Sequence, residues 1–372
     1  MDKQDEAELE RLGLYDATAE DAEDRLRLLR WVFELGATAE EVRRAASIGR
    51  LGPLALELAI RPPGKTLDLG EFVEESGLDP YLVRRLWRAL GLPESGPLPL
   101  QVTPDAAGAL RFLVAMSARF GEEPALAIAR VVGSSAARIA EALSTLVRVT
   151  VEVPDLKAGK AYSDVVWDYS SQARTILPMV FATVDAAIRR HIVIVSSQLW
   201  STDSEQVAVA LERTVGFVDL VGSTAVVRAG SVAAMVAMLR RFEEMVWELV
   251  TDAGGRVVKL IGDEAMFVVA DPVKACGLAL ALTETSPAPV RVGLASGVVA
   301  GIYGDYYGEP VNLAARLVSS AEPSTVIVAD AVRRAAGDAF AFDALPPRAL
   351  KGFAEPIASH RLRRPEPAPH DP

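Results

Sequence analysis

The sequence predicts an all-α N-terminal domain followed by an α/β sandwich, and two observations set that division. Through about residue 190, apolar residues recur at helical spacing between caps and breakers. Beyond residue 209, short strand-like runs alternate with helical segments. The length of 372 residues, about twice that of an ordinary single domain, agrees with two domains. The expected limits are 1–190 for the helical domain, 191–208 for a linker, 209–364 for the sandwich and 365–372 for a disordered tail, PEPAPHDP.

Taken in order, residues 17–35 show an apolar helical stripe that opens with a threonine cap and stops at Gly36. Segments 37–47 and 53–60 repeat the pattern, and Arg61-Pro62-Pro63-Gly64 breaks it. Helices are expected at 67–76 and 80–90, then from Asp105 to about Leu146. The run VRVTVEV at 147–153 fits either a strand or a buried helix, and helical character returns over 169–190. In the second half RTVGFVDLV reads as a strand, followed by Gly-Ser-Thr and a long helix over 231–250. Val232, Met235, Val236, Leu239, Phe242, Val246 and Leu249 share one of its faces. RVVKLIG and EAMFVVA flank Gly262-Asp263 as a hairpin. A helix at 272–285, a strand at 290–300, a helix at 311–321, a strand at 325–329, a short helix and one closing strand complete the sandwich.

Composition excludes several classes. No apolar run reaches the roughly 18–20 residues of a membrane helix, and the charged start MDKQDEAELE has no signal-peptide core. The expectation is a protein without a membrane span, in the cytoplasm. Cys276 is the single cysteine, which excludes internal disulfides and cysteine-rich zinc sites, and three histidines argue against a His-built metal centre. The formal net charge of −11 argues against a nucleic-acid partner, and an acidic protein that handles a triphosphate needs metal ions or backbone N–H groups to do so.

Three pairs of residues carry chemistry. Asp219 ends the first strand of the sandwich and Asp263 sits at the hairpin tip. Two such carboxylates hold Mg²⁺ or Mn²⁺ while leaving positions open for phosphate oxygens; the plainer alternative is two turn aspartates. Lys259 and Asp305 form the second pair. A lysine donates to N1 of adenine and a carboxylate accepts from its N6 amino group, whereas guanine has the opposite polarity there. Lys259 and Asp263 leave a regular strand on the same face; the plainer reading of Lys259 is a solvated strand lysine. Asn312 and Arg316, four apart in VNLAARL, share one face of a helix, where they can orient a ribose and stabilise phosphoryl charge. A capping Asn and a surface Arg would look the same. Gly-Ser-Thr before the long helix offers N–H groups to a triphosphate.

The ordered set FVDLVGST, K-x-x-G-D-E, DYYGEPVNLAAR and LKGFAEP resembles the catalytic domain of class III nucleotidyl cyclases over about residues 209–364. The resemblance implies an adenylyl cyclase working on ATP with two divalent ions, Mg²⁺ or Mn²⁺, per site. It matches Asp219 and Asp263 to the metal ligands, Lys259 and Asp305 to adenine recognition, and Asn312 and Arg316 to ribose positioning and transition-state stabilisation. Lys351 matches a triphosphate-contacting lysine. It also implies a head-to-tail homodimer in which each site takes its aspartates from one chain and the other four residues from the partner. A guanylyl cyclase would carry a different group at Lys259. A diguanylate cyclase has a related hairpin turn but no role for the VNLAAR helix.

The arrangement of the first half resembles soluble actinobacterial cyclases whose helical N-terminal domain restrains catalysis, some of them with pH. Inhibition by residues 1–190 is therefore expected, and His191 near the junction is a candidate titrating group, with an ordinary surface histidine as the alternative. Residues 67–93 also fit a helix-turn-helix, with Gly77 at the turn, an Asp79 cap and Pro80 at the first helical position. The second of its helices carries Arg84, Arg85 and Arg88. A DNA-binding regulator with a nucleotide-sensing domain is thus the alternative function, and Asp68, Glu71, Glu74 and Glu75 on the preceding helix argue against it.

Overall fold

The computed structural model describes residues 3–95, 100–199, 210–222, 232–286 and 288–365. It separates into two compact units, Met1–Trp200 and Ser201–Pro372. The first unit is helical, as expected: α1 (Lys3–Arg11), α2 (Ala22–Glu34), α3 (Ala39–Ser47), α4 (Leu51–Ile60), α5 (Leu69–Ser76), α6 (Pro80–Ala89), α7 (Pro104–Phe120), α8 (Glu122–Val147), α9 (Val153–Lys157) and α10 (Tyr162–Leu199). Local chemistry sets several boundaries. Thr38 and Asp68 close reciprocal capping boxes with Glu41 and Glu71, Asp79 caps α6 ahead of Pro80, and Gly77 ends α5 with φ +65°. Two apolar cores hold the unit: Leu29, Val32, Val42, Leu54 and Val166 in one, Phe72, Leu86, Trp87, Leu110 and Leu126 in the other.

Three helical expectations need correction. Helix α2 starts at Ala22 behind Asp21, because Thr18 bonds to Asp16 instead of capping. Residues 148–152, in the stretch read as strand or buried helix, form a turn of π-helix, with Val149 63% exposed. Residues 191–199, placed in the linker, continue α10; residues 200–209 and 366–372, which hold the rest of the linker and nearly all of the tail, lie outside the described residues. Among the described residues no helix is long and apolar enough to cross a membrane.

The second unit is an eight-stranded sheet with helices on both faces. Its strands are β1 (Ala210–Leu220), β2 (Arg256–Ile261), β3 (Glu264–Val269), β4 (Val290–Ile302), β5 (Asp305–Tyr307), β6 (Val326–Ala329), β7 (Ala341–Arg348) and β8 (Ile357–Arg363). The order is β2-β3-β1-β4-β6-β8-β7, with β5 paired to β4; among the described residues only β4 and β6 run parallel. Two of these strands, β5 and β7, were not anticipated. The helices are α11 (Val232–Asp252), α12 (Pro272–Thr285), α13 (Glu309–Ser320) and α14 (Asp330–Ala336). Alternation along β1 divides the cores: Val218 and Leu220 pack with α11, α12 and α14, whereas Val215 and Phe217 pack with α13. Gly293 lets α13 lie against β4, since a Cβ there would stand 2.3 Å from the Val318 nitrogen and 2.5 Å from the Ala314 oxygen.

Candidate active site

Strand alternation puts Asp219 on the face of the sheet that carries α13, the same face as Val215 and Phe217. Its cross-strand partners are Glu264 on β3 and Arg291 on β4, so three charged side chains form a row across three strands. Arg291 Nε donates to Asp219 Oδ2 at 2.6 Å, with Asp219 17% and Arg291 35% exposed. Asp263 occupies the β2–β3 turn, where its carbonyl accepts from the Leu220 amide at 3.0 Å and ties the hairpin tip to the end of β1. Burial, with the charges of Asp219 and Asp263 adding to it, holds the Glu264 carboxyl above its usual value against the pull of Arg291. Three acidic residues, Asp219, Asp263 and Glu264, thus share this corner with Arg291.

The second corner is built from β2 and β5. Lys259 Nζ donates to Asp305 Oδ2 at 2.6 Å, and the Tyr306 amide donates to Asp305 Oδ1 at 2.8 Å. Lysine and aspartate are 46 residues apart in sequence, so the fold brings them together. The same-face expectation for Lys259 and Asp263 assumed a regular strand. Pairing is regular from Lys259 to Ile261, since the register shift lies before Lys259, but Asp263 lies in the turn, beyond the reach of strand alternation. Asn312 and Arg316 are both exposed on α13, opposite its buried face of Pro310, Ala314, Leu317 and Val318. Gly308 takes the N-cap position, so Asn312 is not a cap.

Comparison with known proteins adds independent evidence. The family model of the adenylate cyclase regulatory domain matches residues 2–192, and that of the adenylate and guanylate cyclase catalytic domain matches residues 209–363. An uncharacterized protein of Mycobacterium tuberculosis is 33% identical over 351 residues, covering 91% of this chain and 90% of its own. The chain belongs to the adenylate cyclase family. A pH-sensitive adenylate cyclase of M. tuberculosis is 27% identical to this cyclase over 358 residues, 92% of this chain and 88% of its own. An adenylate cyclase of Glutamicibacter nicotianae is 29% identical over 319 residues, 77% and 76%.

The donors at the first corner of the cyclase suit a hard divalent ion. Asp219 and Asp263 offer carboxylate oxygens, and Glu264 beside them is raised by burial first and by their charges second. Among the described residues no cage of three or more acidic, His or Cys ligands exists, so two carboxylates would leave most coordination positions to phosphate and water. Ser223 and Thr224, of the Gly-Ser-Thr run, lie outside the described residues. Lys351 stands on an exposed turn between β7 and β8, the strands at the edge of the sheet opposite β2.

Sequence reasoning missed Arg291. Its signal was the β1–β4 register, which no motif reveals. The arginines of the helix-turn-helix reading are occupied inside the cyclase: Arg84 and Arg88 pair with Glu94 at 2.7 and 3.3 Å, and Arg85 meets Glu122 and Glu123. No observation favours DNA contact. His191 is an exposed residue of α10.

Proposed function

We propose that this cyclase converts ATP to 3′,5′-cyclic AMP and pyrophosphate at sites completed by a second copy of the chain, with the N-terminal domain restraining the reaction. The observation that carries the substrate is the Lys259–Asp305 contact, which sets a donor beside an acceptor, the two groups that N1 and the N6 amino group of adenine would pair with. The adenylate cyclase names of the actinobacterial relatives support the same choice.

In the proposed reaction the ribose 3′-oxygen attacks the α-phosphorus in line and pyrophosphate leaves. Asn312 orients the ribose, and Arg316 offsets charge that builds on the phosphoryl oxygens. Lys351 reaches the triphosphate. Asp219 and Asp263 would hold two divalent ions, Mg²⁺ or Mn²⁺, and such ions supply triphosphate neutralisation and a more acidic ribose hydroxyl when bound. Arg291 fixes the Asp219 carboxylate in one orientation. Within one chain Asp219 contacts Arg291 while Lys259 contacts Asp305, two separate sets that suit two half-sites offered to a partner.

The test is a product assay on the full-length protein with ATP and, separately, GTP in Mn²⁺, from about pH 5.5 to 8, the range where histidines and perturbed acids titrate. Cyclic AMP that disappears in Asp219→Ala is the expected result; cyclic GMP as the main product would overturn the substrate reading. Asp219→Ala and Arg316→Ala, each inactive alone, should regain activity on mixing if partners complete each other's sites. Higher activity of a dimeric piece beginning near residue 205 would mark the N-terminal domain as inhibitory. A pH optimum that this piece lacks would make the inhibition pH-dependent.

A further inference from the structure

Strand β2 contains one residue too many for its pairing. Arg256 stands opposite Val268, Val257 opposite Phe267, and Lys259 opposite Met266, which leaves Val258 as the bulge. In a regular strand Arg256 and Lys259, three apart, would leave on opposite faces. Here Val257 and Leu260, also three apart, both pack into the core of α11 and α12, whereas Val258, Met266 and Val268 belong to the core under α13. The bulge therefore turns Arg256 and Lys259 onto the same face, the one toward α13, from which Lys259 reaches Asp305 and Arg256 reaches Tyr306.

Arg256 uses that position to hold both neighbours of Asp305. Its Nη2 donates to the carbonyl of Gly304, and its guanidinium lies 5.7 Å from the centre of the Tyr306 ring. Gly304 and Tyr303 form the two-residue turn between β4 and β5, with Ile302 paired to Asp305. Both have positive φ, +87° for Gly304 and +50° for Tyr303. A tight turn with a tyrosine in the left-handed region carries backbone strain and needs outside contacts to stay in one shape. Tyr306, 8% exposed, anchors the following residue in the core under α13. One guanidinium thus fixes the residue before and the residue after the recognition carboxylate.

We infer that Arg256 is a positioning residue for base selection, setting where the Asp305 carboxylate meets the purine edge. The inference rests on the reading of Lys259 and Asp305 as the base-recognition pair. Arg256 itself does not touch the base. It lies exposed on the edge strand β2, so its replacement leaves the cores intact.

The experiment measures kcat/KM for ATP and GTP with full-length wild type, Arg256→Gln, Arg256→Lys and Asp305→Ala, after their thermal midpoints have been compared. Arg256→Gln should lower the ATP-over-GTP ratio by about tenfold, the scale of one misplaced polar contact, and the loss should fall mainly on KM for ATP. Arg256→Lys keeps a cation over Tyr306 and should stay closer to wild type. Asp305→Ala should lower the ratio at least as much as Arg256→Gln. If Asp305→Ala lowers the ratio and Arg256→Gln does not, the positioning role is wrong and the recognition pair stands. Equal losses on ATP and GTP in Arg256→Gln would make Arg256 a merely structural residue. An unchanged ratio in Asp305→Ala would remove the recognition pair, and this inference with it.

Discussion

In the helical unit Arg85 meets Glu122 and Glu123, and Arg61 meets Glu41 and Glu57; in the sheet unit Arg291 meets Asp219, and Lys259 meets Asp305. The chemistry of these contacts is alike and their settings differ. Apart from Arg61–Glu57, which lies along α4, the helical pairs join two segments, as Arg85 joins α6 to the start of α8 beside the core of Leu86 and Leu126. In the sheet pairs Asp219, Arg291 and Lys259 stand on the α13 side of their strands, at a strand end or beside a bulge. A carboxylate kept at such a place adds little to packing, which is why its function has to be sought in what it binds.

The comparison breaks first if Asp219→Asn is harmless. That substitution keeps the size and removes the charge, and kcat should fall by about a thousandfold or more, the scale of losing one preorganised electrostatic contact in a phosphoryl-transfer site. Its thermal midpoint should stay near that of wild type, because Asp219 contributes a partly exposed ion pair. Cyclic AMP formation and a melting curve on the same preparation decide the matter.

Two glycines test the same contrast through packing. At Gly133 of α8 a Cβ would stand 2.4 Å from the Leu90 carbonyl oxygen, and at Gly293 of β4 it would meet the backbone of α13 as closely. These neighbours are backbone and cannot swing away, so Gly133→Ala and Gly293→Ala should each cost roughly 2–3 kcal/mol by forcing elements apart. Both should lower the thermal midpoint. Only Gly293→Ala should also lower kcat, since α13 carries Asn312 and Arg316. Equal kcat values in the two variants would show that the placement of α13 does not matter.

Arg85→Ala reverses the first prediction. It removes the contacts to Glu122 and Glu123 and a cation 5.4 Å from the Tyr81 ring, worth about 1 kcal/mol together at a partly exposed position. A lowered midpoint with an unchanged Asp219-dependent kcat places Arg85 among the structural ties. Retarded duplex DNA with wild type that Arg85→Ala fails to retard would revive the helix-turn-helix reading.

Much of this was legible in the residues. Asp79-Pro80 and Gly77 announced α5 and α6, and Gly262-Asp263 announced a hairpin, because caps and tight turns depend on neighbours in sequence. The three pairs were named by residue type and order. What stayed hidden depends on neighbours in space. The bulge at Val258 is invisible until β3 supplies its register, and Arg291 is one arginine among many until β1 lies beside it. VRVTVEV has the period of a strand, yet it has no strand to pair with and the flanking helices absorb it as a π-turn. Strand β7 contains Pro346 and Pro347, which speak against a strand until the sheet order shows it at the edge, where lost donors cost little.

The smallest expected effect lies in the helical unit and depends on pH. Burial alone would raise the Glu41 carboxyl. The Thr38 amide and hydroxyl, each donating at 2.8 Å, together with Arg61 at 2.9 Å, outweigh it and hold Glu41 below its ordinary value of 4.5. The sign follows from proton counting: near that pH the unfolded chain binds more protons at this position than the folded one. The stability Glu41 contributes is therefore complete above its unfolded value and fades as pH falls through the lower folded one. Glu41→Gln keeps the cap geometry and loses the charge, at a cost of about 1 kcal/mol at neutral pH. Hydrogen exchange along α3 reads this locally. Wild type should be better protected than Glu41→Gln at neutral pH, and the gap should close under acid. A gap of constant size down to the acid limit would mean that the Thr38–Glu41–Arg61 contact stabilises α3 through shape alone.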